Sequence, residues 1–275
     1  MDASERTDRM KRGRKTLVVG LGEVGGALAA VLDRNEPVLR LDIQPVEITD
    51  PIGIMHICIP FQVQADFVAA TVAYIKRFTP ALTIVNSTVL PGTTRSIAEK
   101  SGGAVAYSPV RGKHVRMEND MLHYDKFVAG FDPHDAAYAE AHFKSAGMKT
   151  RVIDKVETLE IAKLAETTYF GVCIAYAQEL NRYCERAGAD FDQAITFFDE
   201  VGFLPRQPYY PGFIGGHCVI PNIKILLELA PSAMLDAILD SNERRAHEIE
   251  SEHRHSHQAA SASRKPAEAK MLADR

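Results

Sequence analysis

From Thr16 onward, short runs of β-branched and other apolar residues alternate with longer stretches whose apolar positions recur at helical spacing. "TLVVG" is followed by "EVGGALAAVLDRN", "VLRLDI", "IGIMHICIP", "VQADFVAATVAYIKRF" and "LTIVNS". Apolar runs of about five residues separated by helix-length segments predict a parallel sheet covered on both faces by helices, an α/β doubly wound fold of Rossmann type. Two further strands, "AVAYSP" and "KFVAG", a helix over 133–146 and the strand "MKTRVID" complete a first domain over residues 15–154.

The pattern then changes. "ETLEIAKLAETTYFGVCIAYAQELNRYCERAGAD" contains no proline and reaches Gly188, a natural C-terminal cap. Ile161, Leu164, Thr168, Cys173, Ala175, Tyr176, Leu180 and Tyr183 give it an interrupted apolar face. At about 1.5 Å per residue, such a helix outruns the width of the first domain and reads as a connector. It leads into a small helical domain over 155–245, with "FDQAITFFDEV" and "IKILLELAPSAMLDAILDSNERR" as later helices. Residues 1–14 and 246–275 are polar, and the expectation is a flexible N-terminus and a disordered tail. His253, His255 and His257 alternate in that tail, but a mobile tract offers no preformed metal site, and no metal is expected.

Composition narrows the field of functions. With 275 residues, 46% of them hydrophobic and 25% charged, the chain suits one large or two smaller globular domains. A formal net charge of -4 gives no global basic field for a nucleic-acid backbone, so nucleic acid is not an expected partner. Cys58, Cys173, Cys184 and Cys218 show no CxxC spacing and read as reduced thiols rather than disulfides or zinc ligands. No apolar leader or membrane-spanning run is present, which predicts a cytoplasmic protein with no membrane partner.

The first chemistry-bearing motif is G-x-G-x-x-G, formed by Gly20, Gly22 and Gly25 in "VVGLGEVGGALA". It follows a predicted strand and opens a predicted helix, where the glycines permit a tight turn, approach of a pyrophosphate and close helix packing. In another context the same residues would be a ligand-free glycine turn. Asp42 ends the second strand about twenty residues on, where a carboxylate accepts the ribose hydroxyls and repels a 2′-phosphate. That favours NAD over NADP, while Arg40, two residues earlier on the same strand face, counts the other way. The second motif is "PYYPGFIGGHCVIP". A free cysteine most often packs as an inert hydrophobe, whereas a thiol behind a Gly215-Gly216 turn is open to solvent and to a nucleophilic role.

"LVVGLGEVGGALA", "ICIP", "NSTVLPGTT", "SPVR", the long helical segment and "PGFIGGHCVIP" occur in this order across residues 15–245. Together they resemble the first two domains of the UDP-glucose/GDP-mannose dehydrogenase family, the nucleotide-sugar 6-dehydrogenases. The resemblance implies an NAD-dependent oxidation of a primary alcohol to a carboxylate. Cys218 would attack the intermediate aldehyde, and water would cleave the resulting thioester. It also implies an oxyanion-stabilising Lys163 and a Thr88 hydroxyl near the reacting centre, although Ser87 and Thr88 could equally cap a turn. Glu23, Val24, Pro60, Ser87 and Thr88 join Gly20, Gly22, Gly25 and Asp42 as expected cofactor contacts. Arg111, His114, Lys163, Gly215 and Gly216 are the expected substrate contacts, the substrate being a small nucleotide sugar or sugar-like alcohol. The long helix lies in the family's dimer core, which implies a homodimer.

Three positions depart from the family pattern. Thr167 stands for an asparagine, Val110 for a glutamate and Asn222 for an aspartate. Thr167 and Asn222 remain catalytic candidates, but two carboxylates able to activate water are gone. His114 and Glu118 are nearby in sequence and are candidate substitutes for the glutamate. The family's third, nucleotide-binding α/β domain has no counterpart pattern after residue 245. Two other readings therefore stand beside the four-electron oxidation. One is a two-electron dehydrogenase of β-hydroxyacid type relying on Lys163, and the other is an NAD-binding partner of a full-length enzyme.

Overall fold

The computed structural model describes residues 15–44, 46–112, 114–198 and 210–251. The expectations for residues 1–14 and for His253, His255 and His257 lie outside the described residues. Two compact units divide at Ala165 and Glu166, inside the long helix rather than at its start.

The first unit alternates strands and helices: β1 (Lys15–Val19), α1 (Glu23–Leu32), β2 (Val38–Leu41), β3 (Ile52–Ile57), α2 (Gln64–Phe78), β4 (Leu82–Val85), α3 (Thr93–Ser101), β5 (Val105–Tyr107), a 3-10 turn (His114–Arg116), α4 (Met117–His123), β6 (Lys126–Gly130), α5 (Pro133–Ser145) and β7 (Thr150–Val152). The strands form one sheet in the order β2-β1-β3-β4-β5-β6-β7. The chain moves from β1 outward to β2 and then crosses to β3 on the other side, which makes the turn after β1 a topological switch point.

The sheet is mostly parallel, but β5 and β6 pair antiparallel, which the apolar pattern did not reveal. A parallel return needs a crossover that spans the sheet. Residues 108–125 supply only the 3-10 turn and the seven-residue α4, and the chain re-enters the sheet at the end where β5 left it.

Strand alternation sends Leu17 and Val19 to one face with Phe67, Val68, Ile75 and Phe78 of α2. Val18 goes to the other face with Leu28, Val31 and Leu32 of α1 and Phe143 of α5. Covered on both sides, β3 and β4 are buried at every position, which is why they read as unbroken apolar runs.

The long helix α6 (Val156–Ala187) stops at Gly188, whose φ of +67° suits glycine. The second unit takes its C-terminal part together with α7 (Phe191–Thr196), α8 (Val219–Leu229) and α9 (233–251). Asp190 caps α7 by accepting from Gln193 N–H at 2.8 Å. Ala175, Ile214, Ile223, Leu235 and Ile238 form the central core of this unit. A Cβ on Gly171 would lie 3.0 Å from Ile223 and 3.1 Å from Val219, so glycine allows α8 to pack close to α6.

The expected disorder from residue 246 is corrected over its first six positions, because α9 continues to 251. Glu248 accepts from the buried Arg182 at 2.6 Å and from Arg245 at 3.2 Å. A desolvated guanidinium needs such partners, so the ion pair draws polar residues into regular structure.

Candidate functional site

The glycine turn is built by close backbone approach. Gly20 N–H donates to Leu41 O at 2.8 Å, and Cys58 N–H donates to Val19 O at 2.8 Å, so the ends of β2 and β3 hold the turn from both sides. Gly20 has φ +87°, and a Cβ there would stand 2.9 Å from the Cys58 carbonyl. A Cβ on Gly25 would fall 1.8 Å from Gly20 O. Around Gly22, by contrast, nothing lies within 4 Å of where a Cβ would be. Gly22 is the N-cap of α1 and provides no capping side chain. Exposed Glu23 and half-buried Val24 open the helix, and exposed Asp42 follows directly on Leu41.

At the carboxyl ends of β3 and β4, Ser87 Oγ donates to Ile59 O at 2.6 Å and thereby ties the Thr88 segment to the segment bearing exposed Pro60. Thr88 is half-buried. Behind them lies a polar chain that the sequence reading missed. Asn86 Nδ2 donates to Ser108 O at 2.6 Å. Its Oδ1 is 2.9 Å from His56 Nδ1, so that nitrogen carries the proton, and His56 Nε2 then accepts from His142 Nε2 at 3.0 Å. Lys126, only 4% exposed, donates to Ser108 O at 2.8 Å and Pro109 O at 3.0 Å. Burial, with some help from the nearby Lys163 charge, lowers its pKa to about 7. Burial likewise pushes the Cys58 thiol up to about 12, which makes it a poor nucleophile.

The histidine pair gives this unit an acid-sensitive core. Burial holds His56 well below its usual range and brings His142 down to about 4. Each folded-state pKa lies below the unfolded value near 6.5, so the unfolded chain binds more protons between about pH 6.5 and 4. Stability is therefore expected to fall as the pH drops through that window, by up to about 1.4 kcal/mol per pH unit for each proton. Urea titrations of the wild type and of His142→Gln, which keeps a donor at the ε position, check this: the variant should show a flatter acid limb.

Arg111 is half-buried, with its guanidinium 5.6 Å from the Tyr124 ring centroid and 5.5 Å from that of Phe127. Val110 is buried in the core layer beside α1. Glu118, a candidate substitute for the missing glutamate, is engaged by Arg34 at 3.0 Å, and the side chain of His114 is outside the described residues. Lys163 is half-buried on α6. One helical turn before it, buried Glu160 accepts from Gly92 N–H at 2.7 Å, Thr94 N–H at 3.0 Å and Thr94 Oγ at 2.6 Å. This carboxylate caps α3 from α6, and sequence reading missed it because the two segments are far apart along the chain. Burial raises the pKa of Glu160 against those hydrogen bonds.

In the second unit, Cys218 is exposed and is the N-cap of α8. Gly215 and Gly216 just before it are exposed, and Gly216 has φ +80°. The segment is anchored from α6 and α9. Asn242 accepts from Ile214 N–H at 2.7 Å and donates to Ile214 O at 3.1 Å, while Gln178 donates to Gly212 O at 2.8 Å. Neither residue was singled out from sequence, where both read as ordinary polar helix positions. Asn222 is buried one turn into α8 and donates to Thr167 Oγ at 2.7 Å. The two positions that depart from the family pattern thus satisfy each other as a neutral hydrogen-bonded pair.

A mostly parallel sheet with helices on both faces and a glycine turn at its switch point is a doubly wound α/β architecture. Residues 157–244 match the model of the UDP-glucose/GDP-mannose dehydrogenase family, central domain. Over 140 residues the chain is 29% identical to UDP-N-acetyl-D-mannosamine dehydrogenase of Methanococcus maripaludis, covering 50% of this chain and 33% of that enzyme. The corresponding enzyme of Methanocaldococcus jannaschii is 28% identical over 158 residues, covering 56% and 37%. The chain thus spans about a third of the length of the curated relatives it matches. The structure of UDP-D-ManNAc dehydrogenase from Pyrococcus horikoshii superposes with a TM-score of 0.74 at 21% identity, over 84% of this chain and 69% of that one. Its homologues are therefore nucleotide-sugar dehydrogenases. No described helix is long and apolar enough to cross a membrane.

Proposed function

We propose that the protein is an NAD-dependent oxidoreductase acting on a primary alcohol of a nucleotide sugar or related sugar-like substrate. The observation that carries this reading is the exposed Cys218 at the start of α8, in a segment that matches the central domain of nucleotide-sugar dehydrogenases. The open space at Gly22, the uncapped start of α1 and the carboxylate of Asp42 fit a dinucleotide's pyrophosphate and ribose. Such a cofactor, when bound, supplies the hydride acceptor for each two-electron step. Glu23, Val24, Pro60, Ser87 and Thr88 complete its proposed contacts.

In this reading Lys163 stabilises the oxyanion that develops on the substrate oxygen, and the Thr88 hydroxyl bonds the same reacting group. Cys218 Sγ adds to the aldehyde carbon to give a thiohemiacetal, whose oxidation leaves a thioester for water to cleave. Thr167 and Asn222 orient polar groups of the substrate or the water without taking a proton. Arg111, His114, Gly215 and Gly216 contact the substrate. The test is the number of NADH formed per substrate consumed across a panel of UDP-sugars, GDP-sugars and hydroxy acids. Two per turnover is the expected result. One would favour a two-electron dehydrogenase relying on Lys163, the reading that the neutral Asn222–Thr167 pair and buried Val110 support. None, with NAD still bound, would favour a partner of a full-length enzyme.

A homodimer through α6 belongs to the same proposal. Tyr169, Tyr176 and Tyr183 are seven residues apart and 53%, 55% and 62% exposed, a stripe that one helix can offer to its copy. Light scattering should give twice the chain mass at micromolar concentration, and Tyr176→Glu with Tyr183→Glu should give the single-chain mass. A wild-type monomer would exclude this interface.

A further inference from the structure

We propose that Asp33 sets the cofactor preference of the glycine turn by holding the Arg40 guanidinium back from the adenosine ribose, so that the site accepts NAD and rejects NADP. The inference rests on the dinucleotide reading above. The hydrogen bond from Gly20 N–H to Leu41 O brings the carboxyl end of β2 against the turn. Asp42, the next residue, is exposed there, and Arg40 lies on the same face of the strand by its period of two. An arginine at this position is the usual partner of a 2′-phosphate.

Here the guanidinium runs the other way. Arg40 Nη1 donates to Val38 O at 3.0 Å, two residues back along β2, and Nη2 pairs with Asp33 Oδ2. Asp33 is itself fixed. It is the C-cap residue of α1, and its Oδ1 accepts from Val38 N–H at 2.7 Å. The carboxylate thus faces the backbone with one oxygen and the guanidinium with the other, and Arg40 in turn draws its pKa down. At the carboxyl end of β2 this leaves Asp42 as the side chain facing the ribose, and its charge opposes a 2′-phosphate. Both members of the pair are more than a third exposed, so the latch adds little to folding stability and can be released without disturbing the sheet.

Isothermal titration of NAD and of NADP separately into the wild type, Asp33→Asn and the double variant Asp33→Asn with Arg40→Gln tests the latch. Asparagine keeps an acceptor for Val38 N–H but turns an amide donor toward the guanidinium. Asp33→Asn is expected to tighten NADP relative to NAD by on the order of tenfold, and Arg40→Gln in that background should abolish the gain. An Asp33→Asn protein that binds NAD as the wild type does, with no change in the NADP-to-NAD ratio, would overturn the inference. A gain that persists without Arg40 would also overturn it, by assigning the effect to the Asp33 charge alone. A wild type that binds neither nucleotide would overturn the dinucleotide reading and the latch together.

Discussion

Replacing Cys218 by serine is expected to lower the rate of carboxylate formation by at least about a thousandfold and to reduce the NADH yield from two per substrate to one or none. A thiol ionises near neutral pH and adds readily to a carbonyl, while a serine hydroxyl needs a base to remove its proton. The neutral Asn222–Thr167 pair offers none. The change should leave the fold intact, because Cys218 is exposed at the helix start and its segment is held by Asn242 and Gln178 through Ile214 and Gly212. An unaltered thermal midpoint in the variant would separate lost chemistry from lost structure. Full activity in Cys218→Ser would instead make the cysteine dispensable and move the assignment to the two-electron reading.

Glu160→Ala is expected to destabilise the first unit by about 3 kcal/mol, lowering its thermal midpoint by roughly 6–12 °C. The substitution removes a fully buried carboxylate that accepts three hydrogen bonds. It strands the Gly92 and Thr94 N–H groups at the start of α3, where Gly92 has no side chain to cap the helix. Glu160→Gln keeps an acceptor and should lose less than half as much. Because burial raises the folded-state pKa of Glu160, the folded protein binds its proton more tightly than the unfolded chain does. Its contribution therefore declines as the pH rises through that folded pKa, and the gap between wild type and Glu160→Gln should narrow in the same direction. Calorimetry of the three proteins at several pH values measures both effects, and an unchanged midpoint in Glu160→Ala would remove the cap from the account.

The early strands were legible because β3 and β4 are covered on both faces and must be apolar throughout. Gly20 and Gly25 could be read because their backbone geometry excludes a side chain, a demand that leaves glycine in the sequence. The long helix and its end at Gly188 followed from an unbroken stretch with a left-handed stop.

Contacts between distant segments had no such trace. The sequence by itself determined which residues could form strands, the long helix, the glycine turn and the exposed cysteine segment, because each depends on local backbone preference and on periodic burial. Only the tertiary structure decided that β6 runs antiparallel, that Glu160 caps α3, that Asn222 meets Thr167, that Asp33 turns Arg40 back, and that Arg182 draws Glu248 into helix. Each of these joins polar or charged groups whose pairing depends on where the fold brings them. A hydrogen bond between residues far apart in the chain leaves no periodicity to read.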